Sequence, residues 1–424
     1  MEEEKKQYKE EMRKAENESA YPDENAAEAA AQPAVELGLP KVHLSHAPAG
    51  PNAYRRMIAS VDRNARQGDL IAVYDKNGRL YGVAIYNPKS QIAVRILTRE
   101  NLADFTIEKY LDEKISRAVE LRRDILKIFE TSNACRLIHD YADGLPGLTA
   151  DYYNDNIVLE FYSIGMYKLA DKIEAAFRKH FPNAKFHCRA TAHTQEMEGF
   201  NLPEQPDLGK GSRTKITENG VLFEVNLRAG FKTGFFCDQR DNRAFAASLA
   251  KDKSVLDLCS YTGGFGIYAA KAGAKSVTCV ELDQGASAQC KRNANINQVR
   301  IDCVCGDAFM YMRQMIANKK QYDMVILDPY KLIASRDDYE YGLFKYRDFN
   351  RIALSLVKPG GIFITCSCSG LVDMKEFNWI ARGAGHAAGR KLQILRKSGA
   401  GGDHPVAAEY PEGEYLKCIA CRVF

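Results

Sequence analysis

The residues able to do chemistry concentrate in the second half of the chain. Val255-Leu256-Asp257-Leu258 is an apolar, strand-like run. It leads into Cys259-Ser260-Tyr261-Thr262-Gly263-Gly264-Phe265-Gly266 and then a helix from Ile267 to Ala272. Glycines at such a turn let a ligand approach the backbone, and the helix N-terminus turns free N–H groups toward a carboxylate. Asp257, Ser260, Tyr261, Thr262, Gly263 and Gly264 are therefore candidate cofactor contacts. Glu281 ends a second strand (Ser276–Val280), 18 residues after Gly263, where a carboxylate suits ribose hydroxyls. Asp307, in Cys305-Gly306-Asp307, closes a third strand and is placed to accept from an adenine amino group. Asp328-Pro329-Tyr330-Lys331 follows the strand Asp323–Leu327, and Thr365-Cys366-Ser367-Cys368-Ser369-Gly370 puts two thiols at the end of Gly361–Thr365.

Nicotinamide enzymes also use a glycine-rich strand–turn–helix. Here the turn reads Thr-Gly-Gly-Phe-Gly and not G-x-G-x-x-G, and the chain carries Asp328-Pro-Tyr-Lys331 after a strand. Together these favour S-adenosyl-L-methionine over a dinucleotide.

These residues need a sheet to present them. From about Gly230, nearly all-apolar strands alternate with helical segments, which predicts a mostly parallel sheet covered on both faces. Tyr415–Cys421 is its last strand. Upstream, Asp69–Tyr74, the turn Asp75–Gly78 and Leu80–Tyr86 read as a hairpin, with Gln91–Leu97 as a further strand of a small β unit. Residues 109–130 switch to helical period, with Leu111, Ile115, Val119, Leu126 and Phe129 on one face. Asn156–Tyr162 is then a strand and Lys168–His180 a helix. The expected fold is α/β, with a Rossmann-like domain over 229–424, a central α/β domain over 109–228 and a β domain over 41–108.

Residues 1–40 hold 11 acids against five bases, whereas the remainder holds 54 bases against 44 acids. The acidic stretch has too little apolar surface to offset ordering entropy and is expected to be a disordered tail. The basic body is compatible with a polyanionic partner. Twelve cysteines in 424 residues fall short of a disulfide scaffold and suit a reducing cytoplasm. Cys418-Ile-Ala-Cys421 lacks a second ligand pair, so no metal is expected. No charge-free apolar run reaches the ~18 residues a bilayer requires, so a soluble, cytoplasmic protein is expected.

At this point the motifs converge. Lys232-Thr-Gly-Phe-Phe-Cys-Asp-Gln-Arg-Asp-Asn-Arg243, Cys259–Phe265, Thr365–Gly370, Asp403-His-Pro405 and Tyr410–Arg422, with Ala142–Leu148 upstream, span most of residues 65–424. The chain thereby resembles the ribosomal RNA large-subunit methyltransferase I family, which forms 5-methylcytosine in 23S rRNA. The resemblance implies a Rossmann-like methyltransferase domain, a PUA-like RNA-binding domain at 41–108 and an RNA partner, 23S rRNA. A homodimer is compatible with it. It also implies that Phe235, Phe236, Asp238, Gln239 and Arg240 line the cofactor pocket.

C5 of cytosine is a poor nucleophile until a thiolate adds at C6. The family's nucleophile corresponds to Cys368, with Cys366 its neighbour in the same run. Asp328 would orient the extruded base, Lys331 would assist or touch a phosphate, and Tyr330 would stack on the base. Relatives commonly read Asp-Pro-Pro-Lys where this chain has Asp328-Pro329-Tyr330-Lys331. That Asp-Pro-Tyr echoes methyltransferases acting on exocyclic amines and keeps a base N-methyltransferase as the alternative. A degenerate RNA-binding scaffold is a further one. Relatives also carry a His-Pro-Trp-like segment where this chain has Asn52-Ala-Tyr-Arg55-Arg56-Met57, leaving the two arginines as the expected RNA grip.

Overall fold

The structure, a computed structural model, describes residues 37–203, 213–227 and 234–424. The expected acidic tail falls, through residue 36, outside the described residues.

Six strands form the first sheet: β1 (Lys41–Leu44), β2 (Asn52–Tyr54), β3 (Ile58–Val61), β4 (Leu70–Tyr74), β5 (Leu80–Tyr86) and β6 (Ile92–Thr98). Their order is β2-β6-β5-β4-β1-β3. Side-chain alternation explains why β5 is apolar throughout. Ala84 and Tyr86 enter the sheet's own core with Val42, Ile71 and Val94, while Val83 and Ile85 join the core of the next domain.

Helix α1 (Ile107–Glu120) follows, its N-terminus capped by the Thr106 hydroxyl. Its apolar face buries Leu111, Ile115 and Val119, but the helical period stops well before residue 130. A π-turn over Leu121–Ile125, closed by Leu126 N–H on the Leu121 carbonyl (2.8 Å), changes the register. Leu126 is left exposed, whereas Arg122 is fully buried and pairs with Asp143 at 2.6 and 2.8 Å.

The central unit contains β7 (Ala134–His139), β8 (Leu148–Tyr153), β9 (Asn156–Phe161), α2 (Ile164–Lys168), α3 (Ala170–Arg178), β10 (Lys185–Arg189) and α4 (Ala192–Glu198). A hairpin, β11 (Arg213–Glu218) and β12 (Val221–Asn226), leads onward.

The last unit begins with α5 (Arg240–Ser248), then β13 (Ser254–Leu258), α6 (Gly264–Lys271), β14 (Ser276–Glu281), α7 (Gln284–Ile296), β15 (Asp302–Cys305) and α8 (Ala308–Ala317). It continues with β16 (Tyr322–Leu327), α9 (Tyr339–Ser355), β17 (Val357–Ser367), α10 (Met374–Ala387), β18 (Leu392–Ser398) and β19 (Lys417–Val423). The sheet order is β15-β14-β13-β16-β17-β19-β18, parallel from β15 through β17, with β19 antiparallel to both neighbours. Cys418 and Cys421 project to opposite faces of β19, into different cores. That separation is wrong for two ligands of one metal.

A buried ion cluster fastens this unit to the central one. Glu218 accepts from Arg243 Nε and Nη2 (both 2.9 Å) and from the Tyr268 hydroxyl (2.9 Å). Arg240 pairs with Asp403 (3.0 Å) and donates to the Ala134 carbonyl (2.7 Å). Burial opposes ionisation of Asp403, but Arg240, His404 and the Arg136 N–H together outweigh it and hold the carboxyl well below the usual range.

Candidate active site

Register places the candidate residues along one rim. Leu258 of β13 sits beside Leu327 of β16, which sits beside Thr365 of β17. The glycine turn, Asp328 and Cys368 therefore all emerge from the carboxyl ends of adjacent parallel strands. That is where open α/β sheets bind ligands.

The turn after β13 is bent tightly, with positive φ at Cys259 (58°), Tyr261 (49°) and Gly263 (84°). Non-glycine residues in this region are strained, and such strain clusters at binding sites. A Cβ on Gly263 would meet Cys290 Sγ at 2.5 Å, so this glycine is needed for space as well as for φ. Glu281 stabilises the bend by accepting from Tyr261 N–H (2.7 Å) and Asp283 N–H (2.9 Å). Asp257 accepts from Gly266 N–H (2.8 Å) under the loop. It is fully buried, and burial pushes its carboxyl up to about 8, with Asp328 and Glu281 adding to the effect.

The pocket is acidic. Burial raises the Cys259 thiol, and so do Glu281, Asp328, Asp257 and Asp307 around it. Negative potential of this kind suits the sulfonium and ammonium charges of S-adenosylmethionine better than the phosphates of a dinucleotide. The buried Ser260 hydroxyl has no protein partner among the described residues, consistent with a donor kept for a ligand.

Not every expected contact faces this pocket. Arg240 is the chief correction: it lies in the ion cluster, where Asp403, Glu218 and the Ala134 carbonyl occupy its guanidinium. Phe235 packs on Phe223 (4.9 Å) beneath the Arg243 guanidinium. Asp257 braces the loop from below. Asp307 is exposed and caps α8 through Met310 N–H (2.8 Å). Gln239 lies closer to the chemistry, donating to Asp328 Oδ2 (3.1 Å) while its Oε1 accepts from Asn242 Nδ2 (2.7 Å). Asp238 accepts from the Tyr415 hydroxyl (2.5 Å).

The two thiols differ. Cys366 is fully buried within β17, in register with Cys418, and the Cys418 contact followed by burial raises its pKa well above the ordinary value. Cys368 lies just past the strand and is half-buried. Ser367 and Ser369 flank it, both bonded to the Tyr346 hydroxyl (2.9 Å each), and Ser369 Oγ also accepts from Ile333 N–H (3.2 Å). This buried network ties the thiol-bearing turn to Ile333, two residues past the Asp328–Lys331 loop. Tyr330 is 66% exposed and Lys331 is exposed beside it. Arg55 and Arg56 are exposed on the first sheet, with Arg55 held by the Ser90 carbonyl (2.8 Å) and the Lys89 carbonyl. Sequence reasoning missed Gln239's bond to Asp328, and it missed Lys417. A lysine inside the apolar run Leu416–Cys421 was the available signal.

Comparison with known proteins agrees with this geometry. Residues 209–378 match the family model for S-adenosylmethionine-dependent methyltransferases, and residues 50–99 match a PUA-like domain. SMU.776, a protein assigned to the methyltransferases and crystallised with SAH, superposes with a TM-score of 0.73 at 21% identity, over 90% of this chain and 99% of that one. That likeness speaks to the fold alone. Fold, acidic glycine turn and domain matches define a class I S-adenosylmethionine-dependent methyltransferase that carries a PUA-like domain. Ribosomal RNA large subunit methyltransferase I of Pseudoalteromonas atlantica is 37% identical over 382 residues, covering 88% of this chain and 95% of that protein. The Aliivibrio fischeri (strain MJ11) protein of the same name is 35% identical with the same coverage. The chain belongs to the ribosomal RNA large-subunit methyltransferase I family.

Proposed function

We propose that the protein methylates C5 of a cytosine in large-subunit ribosomal RNA, with Cys368 as nucleophile. The observation that carries this reading is the emergence of Cys368 and Asp328 from neighbouring strand ends, beside the acidic glycine turn. A methyl group on a sulfonium is what the cofactor supplies when bound. Cys368 adds through sulfur to C6 of an extruded cytosine, making C5 electron-rich enough to accept that methyl. Asp328, steadied by Gln239, holds the N3–N4 edge of the base. A base, solvent water included, then takes the C5 proton, the C5–C6 double bond re-forms and the C6–S bond breaks, releasing the thiolate. Tyr330 offers a stacking face and Lys331 a phosphate contact at the rim, while Arg55 and Arg56 extend the basic surface onto the PUA-like domain. Relatives named for ribosomal RNA support the substrate class.

The test is the Cys368→Ser protein, assayed by mapping 5-methylcytosine in ribosomal RNA. It should bind S-adenosylmethionine normally and lose methylation by several orders of magnitude, because a hydroxyl does not replace a thiolate at C6. Asp328-Pro-Tyr330 favours one competing reading, methylation of an exocyclic amine, which needs no thiol. Near-normal turnover by the serine variant would select it.

A further inference from the structure

Lys417 is an anomaly of the site. It begins β19, paired with Ser367 of β17, and is only 1% exposed. Its Nζ donates to the carbonyl oxygens of Ser369 (2.6 Å) and Tyr415 (2.7 Å). Among the described residues, no carboxylate lies within ion-pair distance of it. Lysines are almost never fully buried unless paired, because an isolated ammonium is expensive to remove from water. The carbonyl it grips belongs to the residue after Cys368, in a turn already pinned by Ser367, Ser369 and Tyr346.

We infer that Lys417 is the counter-charge of Cys368: its ammonium, anchored on the Ser369 carbonyl, stabilises the thiolate and fixes the turn that carries it. The inference rests on the reading of Cys368 as nucleophile. Lys417 does not touch the base and is a positioning residue. The proton leaves the half-buried Cys368 sulfur for solvent while the positive charge stays on buried Nζ, so the pair becomes net neutral. Burial pulls the lysine down to about 8. Cys368 is the largest influence favouring its charged form, followed by Glu414 and Asp373, while Lys331 opposes it. Nearby Tyr346 is held neutral, its own pKa raised chiefly by burial. A lysine so placed is charged at neutral pH and discharges in mildly alkaline solution.

The test is alkylation by iodoacetamide across pH 6 to 9.5, read at each cysteine by peptide mass spectrometry, with exposed Cys305 as internal reference. In the unaltered protein the midpoint for Cys368 should lie about one pH unit below that of Cys305, roughly tenfold more thiolate at neutral pH. Lys417→Met should abolish that difference and Lys417→Arg should restore most of it, with cofactor binding and melting temperature reporting the fold. Superimposable Cys368 and Cys305 profiles in the unaltered protein, or a midpoint unmoved by Lys417→Met, would overturn the inference. Should the methionine variant not fold, the Cys305 comparison and the arginine variant still decide. Alkylation is read without turnover, so an active Cys368→Ser protein would refute the nucleophile separately.

Discussion

Replacing Arg240 with alanine separates two roles that its motif and its surroundings assign differently. Its guanidinium is 6% exposed, pairs with Asp403 at 3.0 Å, approaches Glu218 at 3.6 Å and donates to the Ala134 carbonyl at 2.7 Å. Removing one partner of a buried ion pair costs roughly 3–5 kcal/mol, because the other charge stays buried. The low end applies here. Glu218 retains Arg243 and Tyr268, and Asp403 retains His404 and the Arg136 N–H. A loss of about 3 kcal/mol follows. With an unfolding entropy of ~2.1 cal/mol/K per residue over 424 residues, the melting temperature should fall by about 3–4 °C. High salt should not rescue it, because buried pairs are little screened. Differential scanning calorimetry measures the shift, and titration with S-adenosylmethionine should give an affinity within about twofold of the unaltered protein. An unchanged melting temperature with lost cofactor affinity would refute the argument and return Arg240 to the pocket.

Other outcomes follow from the same site. Glu281→Ala should weaken S-adenosylmethionine binding roughly ten- to more than hundredfold, since a hydrogen bond to a charged group is worth about 1.5–3 kcal/mol; calorimetry reads it. Asp257, raised to about 8 by burial, binds its proton more tightly folded than unfolded, so its contribution to stability is present at pH 4 and is lost as pH rises to 8. Asp257→Asn should accordingly gain melting temperature relative to the unaltered protein at pH 8 compared with pH 5. Tyr330→Ala should weaken RNA binding by roughly five- to hundredfold, one lost stacking contact, with cofactor affinity unchanged in the same titration.

Much of the framework was legible in the chain because its boundaries carry local signals. Leu80–Tyr86 follows an Asp-Lys-Asn-Gly turn and Ser254–Leu258 stops at the glycine loop, and both strands have the expected limits. The helix expected to run to residue 130 shows where local reading ends. Arg122 reads as a solvent-facing charge, yet Asp143 and the Asp403 carbonyl draw it inward. No window around Arg122 contains that second partner, which lies 281 residues away. Lys417 was hidden for the same reason, since its meaning depends on Ser369, 48 residues earlier in the chain and brought beside it by the pairing of β17 with β19. Glu281 stood out from its spacing alone, and at that strand end the loop backbone supplies Tyr261 and Asp283 N–H groups that need an acceptor. Arg240 was misplaced by adjacency: it neighbours Gln239, which does reach Asp328, but the helix turns the two side chains apart.

The antiparallel strand β19, inside the last sheet, bears on how the enzyme is made. β19 lies between β17 and β18, yet it is the last of the three in the chain, so its slot must stay open while β18 is already present. Until it enters, Ile362–Ser367 of β17 present an edge with unpaired N–H and C=O groups. Such an edge recruits strands from other molecules. Lesions that slow or remove β19, even far from the pocket, should therefore appear first as aggregation of newly made chains, before any catalytic defect becomes measurable.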